Sequence, residues 1–197
     1  MSDIKIEDDY LPSYEFGLLQ NLFSANRKRK IRYKDKEIGF IPWNFSLIEN
    51  PHSGRKVSYD NYQLCHQIYY PSPPGMGIDS KVESSAYCII PLFFNRIRAI
   101  CIKRIKANLL MRTSEIISHT FHTDYSVDNE AYPDIIWDGL KTSIYYINSN
   151  DGYTEFEDGT RIDSVANRLI TFPYHYEHRG TTCTNKPYRM VINFNYF

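Results

Sequence analysis

HTFHTD, residues 119–124, places His119, His122 and Asp124 within six positions. In an extended segment residues two apart project to one side, so His122 and Asp124 would stand together while Thr123 points away. One imidazole beside one carboxylate supplies two ligands of a divalent-metal site. The pair alone is not specific, because His-x-Asp arises often by chance and three polar residues in a turn explain it as well. FPYHYEHRG, residues 172–180, offers a third ligand in His175 or His178. Phe172-Pro173 ends an apolar run, and His178 follows where the chain would re-enter a sheet.

Two histidines and one carboxylate on one face of a metal leave the opposite positions open. That arrangement suits non-haem Fe(II), which needs vacant positions for a cosubstrate and dioxygen, and it also suits zinc with a water. Arg189, eleven residues after His178, heads YRMVINFNYF. Period 2 aligns Arg189, Val191 and Asn193 on one face of that strand. A guanidinium in an otherwise apolar strand is costly to bury without an anion, and its fork grips a carboxylate through two hydrogen bonds. The alternative is an internal ion pair with a protein carboxylate.

These residues need a scaffold, and the chain is long enough for one: 197 residues, 42% hydrophobic, with 17 Tyr and 11 Phe. Aromatic side chains suit a pleated, half-buried surface, so the composition leans toward β structure. The 23 basic and 23 acidic residues cancel, leaving no global field that argues for nucleic acid or an anionic membrane. The longest apolar run, YCIIPLFF (87–94), is too short to span a bilayer. MSDIKIEDDYLP is acidic where a secretory signal needs a basic start. Cys65, Cys88, Cys101 and Cys183 form no Cys-x-x-Cys pair, and the expectation is a reducing cytoplasm, a host's if the chain is phage-encoded.

Along the chain, residues 4–11 predict an edge strand and 14–23 a surface helix. NRKRKIRYKDK (26–36) is the one basic run and predicts a solvated hairpin edge rather than a nucleic-acid patch. Residues 43–85 are broken by Pro, Gly, Ser and Asn, with 70–77 expected to be loop. In 89–101, Ile90, Phe93, Phe94, Ile97 and Cys101 share a helical face, with Pro91 near the start. From residue 102 short apolar or alternating runs recur, at 141–148, 154–158, 167–173 and 188–197. Gly-, Asp- and Asn-rich loops separate them, the pattern of an antiparallel sandwich or barrel. Residues 125–139 would form a lid, and Trp43 and Trp137 would line an entrance or sit in the core. The fold class is α+β.

HTD (122–124), IYYIN (144–148), the run from RLITFP through His178, and YRMVINF (188–194) resemble, in this order, the Fe(II)- and 2-oxoglutarate-dependent dioxygenases. The likeness is to their prolyl-4-hydroxylase-like branch, with its small phage and bacterial members, and it covers about residues 100–197. It implies a double-stranded β-helix (jelly-roll, cupin-like) core over 101–197, supported by N-terminal helices and loops over 1–100, in one oxygenase domain. It implies that His122, Asp124 and His178 bind Fe(II), with His178 preferred to His175 because the family places its histidine five residues after Phe-Pro. Arg189 would bind the distal carboxylate of 2-oxoglutarate, Tyr146 would donate its hydroxyl to that carboxylate, and Asn108 would line the cosubstrate pocket. The activity implied is hydroxylation of an unactivated C–H bond with Fe(II), 2-oxoglutarate and O2, on a prolyl or other residue of a peptide, an amino acid or a small molecule. The chain departs from the pattern at Asp151-Gly152, where a glycine pair is common, and at Val191, where a serine is common. The rivals are a non-catalytic jelly-roll module with a structural metal, and a zinc hydrolase on the same triad. His119 reads as a loop or supporting residue, His52 and His66 as solvated or capping residues, and Cys183 as a small loop residue.

Overall fold

Alternating and apolar runs dominate the C-terminal half, and there the chain is β structure. The computed structural model describes residues 3–23, 31–33, 36–38, 41–48, 62–70, 85–124 and 138–197. Its elements are β1 (Lys5–Glu7), α1 (Ser13–Phe23), β2 (Ile31–Tyr33), β3 (Lys36–Ile38), β4 (Asn44–Leu47), β5 (Tyr62–Tyr69), α2 (Ile90–Phe94) and β6 (Ile102–Met111), then β7 (Lys141–Tyr146), β8 (Tyr153–Phe156), β9 (Arg161–Asp163), β10 (Leu169–Pro173), β11 (His178–Gly180) and β12 (Tyr188–Tyr196).

Seven strands pair antiparallel in the order β1-β10-β7-β12-β6-β5-β4. A smaller sheet, β11-β8-β9, faces them. Bridges from Ser118 to Thr181 and from His122 to His178 extend the small sheet beyond β11. Strands adjacent in the large sheet are mostly not consecutive in the chain, because the connections pass through the small sheet and return. This is the double-stranded β-helix.

The two faces of the large sheet do different work. From β6, Ile105, Ala107 and Leu109, and from β12, Met190, Ile192 and Phe194, turn outward into one apolar cluster. Leu19, Leu22 and Phe23 of α1 and Phe93 of α2 cover that cluster. The other face turns inward, where Ile144, Tyr146, Phe156, Ile162, Ile170, Phe172 and Val191 fill the space between the sheets. Period 2 thus divides each strand between the helix-covered face and the interior.

Some expectations change. The helix expected over 89–101 is only a 3-10 turn, Ser85–Ile89, and the five residues of α2. Arg98 takes a left-handed φ of 53°, which ends helical continuation and turns the chain into β6. Phe93 and Ile97 are buried, whereas Phe94 and Cys101 are exposed. The loop-rich stretch 43–85 contains β4 and β5, which widen the large sheet; residues 71–77 lie outside the described residues. The expected edge strand over 4–11 pairs at the edge as β1, but over Lys5–Glu7 only. β2 pairs antiparallel with β3, at the C-terminal end of the hairpin expected over 26–36; residues 26–30 lie outside the described residues. Trp43 packs against the outer cluster, and Trp137 is outside the described residues. All four cysteines are free.

Asn167 ties the N-terminal segment to the sheet. Its φ is 64°, a conformation Asn tolerates better than most residues. Its Oδ1 accepts from Leu11 N at 2.9 Å and from Tyr145 Oη at 2.6 Å, and its Nδ2 donates to Leu11 O at 2.8 Å. Asn167→Ala would strand those buried partners and add left-handed strain, so we expect a loss of roughly 3 kcal/mol in unfolding free energy. Urea denaturation measures it, and a loss under about 1 kcal/mol would show that the network contributes little.

Candidate active site

The bridge between His122 and His178, the first residue of β11, builds the centre. His122 N donates to His178 O and His178 N donates to His122 O, both at 3.0 Å. Two residues bonded this way are directly opposite neighbours, with side chains on the same face. The imidazole centroids are 5.0 Å apart, and Asp124 follows on the same side. One ligand atom from each of His122, Asp124 and His178 lies within 4.8 Å of the other two.

The protons are arranged for ligation. His122 Nδ1 lies 3.0 Å from Thr120 O, and His178 Nδ1 lies 3.1 Å from Tyr176 O. A carbonyl only accepts, so each Nδ1 carries the proton and each Nε2 keeps a lone pair. His178 is buried against Phe172 and Phe156, at 4.9 and 6.2 Å between centroids. Burial pulls its pKa below the ordinary value, with Asp124 opposing. Burial alone would raise the Asp124 pKa. The charges of Arg104, His178 and His122 and the Asn193 hydrogen bond outweigh it and hold Asp124 at about 2. Asn193 Nδ2 donates to Asp124 Oδ2 at 2.8 Å, and Arg104 Nη2 sits 3.2 Å from Oδ1. Two imidazoles with free Nε2 atoms and one ionised carboxylate are a donor set that fits Fe(II).

The three residues open on a cavity of about 200 Å³ between the sheets. Arg104, Lys106, Asn108 and Leu110 line it from β6, and Arg189, Val191 and Asn193 from β12. Arg189 is only 3% exposed. Its Nε donates to Ser164 Oγ at 2.8 Å and its Nη2 to Thr154 Oγ1 at 3.0 Å. Among the described residues no carboxylate pairs with it. Burial lowers its pKa, although nearby Tyr146 and Cys183 act the other way. Backbone approaches it closely: a Cβ on Gly152 would lie 2.8 Å from Arg189 Cδ, and one on Gly180 would lie 3.2 Å from Nη1. Gly152 belongs to the Asp151-Gly152 departure, and here the missing side chain makes room for the arginine.

Asn108 lines the cavity. The Tyr146 ring lies under the guanidinium, 5.7 Å from centroid to Arg189 Cζ, but its hydroxyl donates to Thr154 Oγ1 at 2.8 Å. Thr154 lines the cavity and accepts from both Tyr146 and Arg189, which leaves its own hydroxyl proton to point elsewhere. Three residues that line this space each hold one buried polar atom without a hydrogen-bond partner: Asn108 Oδ1, Asn193 Oδ1 and His119 Nε2. Burial and the neighbouring Arg189 and His122 push the His119 pKa down to about 3, so it is neutral.

Sequence reasoning singled out neither Arg104, Lys106 nor Thr154, and gave Asn193 no role. A signal existed on β6, where Arg104, Lys106 and Asn108 share the inward face by period 2. His175 is exposed between Tyr174 and Tyr176, away from the cluster. His66, expected to be solvated or capping, is buried with Nδ1 2.7 Å from Pro42 O. His52 and residues 125–137 of the expected lid lie outside the described residues.

No family model matches the chain, and no curated protein does. Solved structures do. A 2OG-Fe(II) oxygenase family oxidoreductase from Burkholderia pseudomallei aligns over 99% of this chain and 85% of its own, at 10% identity and a TM-score of 0.57. A Trichoplax adhaerens prolyl hydroxylase, solved with a hypoxia inducible factor peptide fragment, aligns over 99% and 83%, at 15% identity and a TM-score of 0.59. A Pseudomonas putida prolyl-4-hydroxylase aligns over 98% and 92%, at 12% identity and a TM-score of 0.53. The fold is therefore the one that 2OG-Fe(II) oxygenases share, prolyl hydroxylases among them.

If His122, Asp124 and His178 are the ligands, alanine at any of them weakens Mn(II) binding at least as much as the roughly 10- to 100-fold that losing a supporting residue costs. His175→Ala binds normally. Mn(II) titration followed by electron paramagnetic resonance separates the two histidines, and weak binding by His175→Ala with normal binding by His178→Ala would reverse the assignment.

Proposed function

We propose that the protein is an Fe(II)- and 2-oxoglutarate-dependent dioxygenase that hydroxylates an unactivated C–H bond. The supporting observation is Arg189, a buried guanidinium whose only hydrogen-bond partners among the described residues are neutral hydroxyls, facing the same cavity as the His-Asp-His cluster. Such a charge is costly to bury unless a ligand completes it, and a dicarboxylate reaching from the metal to Arg189 does so. A zinc hydrolase leaves this arginine without a purpose.

In this reading His122, Asp124 and His178 hold the iron. The bound metal supplies oxidation by O2, coupled to decarboxylation of 2-oxoglutarate to succinate. The chain's own groups do the rest. Arg189 grips the distal carboxylate through its remaining N–H groups. Thr154, held as an acceptor by Tyr146 and Arg189, turns its hydroxyl proton to the same carboxylate, so Tyr146 acts through Thr154. Asn108 offers its amide to the cosubstrate. Phe156, Phe172 and Ile144 keep water from the inner wall, which strengthens every charge interaction there. The substrate is a prolyl or other residue of a peptide, an amino acid or a small molecule. Four free thiols suit a cytoplasmic setting, and no helix among the described residues is long and apolar enough to cross a membrane.

Removing one member of a buried charge pair costs about 2–5 kcal/mol, or roughly 30- to several-thousand-fold in affinity. Arg189→Ala should therefore lose 2-oxoglutarate binding by that factor while keeping Mn(II) binding. Tyr146→Phe should show a smaller loss in the same parameter. Calorimetric titration of 2-oxoglutarate into Mn(II)-loaded protein under argon measures both. Wild type that binds no 2-oxoglutarate, or Arg189→Ala that binds it equally well, sinks the dioxygenase reading in favour of a non-catalytic metal-binding module.

A further inference from the structure

β6 turns two cations to the cavity, Arg104 beside Asp124 and Lys106, and the dioxygenase reading gives neither a ligand to bind. Arg104 and Lys106 point inward with Asn108 and Leu110. Register places Lys106 opposite Asn193, Arg104 opposite Asn195 and Leu110 opposite Arg189 across the β6–β12 pair. Asn193 is the residue that holds Asp124. Lys106 and Arg104 therefore stand at and beyond the level of the metal ligands, while Arg189 stands four residues away, on the order of 13 Å along the strand at 3.3–3.4 Å per residue. A cosubstrate stretched between the ligands and Arg189 occupies the cavity on one side of the centre. The two β6 cations face the other side.

Among the described residues Asp124 is the one carboxylate within ion-pair distance of either cation. Lys106 is partly buried and, among the described residues, has no carboxylate within ion-pair distance. Burial, reinforced by Arg104, lowers its pKa against the opposing pull of Cys65 and Asp124. Arg104 has two partners, Asp124 at 3.2 Å and Asn195 Oδ1 at 2.9 Å. A divalent metal on Asp124 would more than cancel the carboxylate charge that Arg104 now meets. With 2-oxoglutarate matched to the metal and to Arg189, Arg104 and Lys106 would remain two uncompensated cations beside the reacting centre. Partly buried cations of this kind are costly unless an anion joins them.

We infer that Arg104 and Lys106 form an oxyanion subsite, so that the substrate carries a carboxylate or phosphate close to the C–H bond that is attacked. This rests on the proposed dioxygenase reading for the word substrate, but the subsite itself can be tested apart from it. A carboxylate or phosphate would take two hydrogen bonds from the Arg104 fork and one from the Lys106 ammonium. A neutral peptide segment would leave both charges bare, so the substrate favoured is a small organic acid, a free amino acid, or a peptide whose target residue adjoins an acidic group.

The probes are acetate, inorganic phosphate and neutral acetamide, added to Mn(II)-loaded protein with and without 2-oxoglutarate under argon. Paramagnetic relaxation of the phosphate phosphorus and the acetate methyl protons reports binding close to the metal. Wild type should relax at least one anion saturably with 2-oxoglutarate present, and acetamide not at all. Which anion binds distinguishes a phosphate-bearing from a carboxylate-bearing substrate. Lys106→Gln should weaken that binding by roughly 10-fold or more, and Lys106→Arg should restore it. Mn(II) and 2-oxoglutarate affinities should stay within about two-fold in both variants, a margin well under one tenfold step. Lys106→Met, which keeps the aliphatic stem, replaces the glutamine variant if that one is poorly folded. The inference is overturned if neither anion binds saturably, if Lys106→Gln binds as wild type does, or if its loss falls on 2-oxoglutarate instead. Lys106-dependent anion binding in a protein that ignores 2-oxoglutarate would keep the subsite and remove the dioxygenase reading.

Discussion

Two reciprocal backbone hydrogen bonds between His122 and His178 hold the rest of the site in place. They make residues far apart in the chain into directly opposite neighbours. Each imidazole then needs only its Nδ1 proton tied to a carbonyl two residues back for its Nε2 to be left free. Both geometry and tautomer are thus set by backbone. Backbone positions vary less than long side chains, and a metal site that tolerates errors of only tenths of an ångström gains from that. Asp124 completes the set because period 2 carries it to the same side.

The second constraint is the division of β6 and β12 between two environments. Their outward residues are ordinary apolar core, covered by α1 and α2. Their inward residues include Arg104, Lys106, Asn108, Arg189 and Asn193, a polar strip inside a domain. Burying it costs stability, and the outward cluster is where compensating apolar burial lies. This explains why the helices sit on the large sheet, whose outer face would otherwise be an exposed apolar surface. The small sheet has a different task. It brings His178, Thr154 and Gly180 over the polar strip and closes the cavity.

Distant residues also hold each other through shared acceptors. Thr154 takes bonds from Tyr146 and Arg189, Ser164 takes another from Arg189, and Gly152 leaves room for the arginine's aliphatic stem. The guanidinium is therefore fixed before any anion arrives. Preorganisation of this kind spares a ligand the cost of ordering its partner. Asn108, Asn193 and His119, which line the same cavity, each keep one buried polar atom without a hydrogen-bond partner.

Much of this was legible in the sequence because it depends on short range. His122 and Asp124 lie two apart, Arg189 and Asn193 share a face by period 2, and the recurring strands of the C-terminal half follow from alternation alone. The β-rich class and the order of the motifs needed nothing more. Local rules failed where a long-range partner decided. Of the helical face expected over 89–101 only Phe93 and Ile97 are buried, because the helix stops after Phe94 and the chain turns at Arg98 to join β6. β4 and β5 looked like loop because their place comes from pairing, β5 with β6 and β4 with β5, not from their own composition. The Tyr146 hydroxyl meets Thr154, not the open cavity, because β7 and β8 approach in space. Arg104 and Lys106 stood out in nothing local, because it is β12 and the segment bearing Asp124 that enclose them. Periodicity determined which side of a strand each residue faces; only the closing of one sheet over the other decided whether that side meets water, apolar core or a charged cavity.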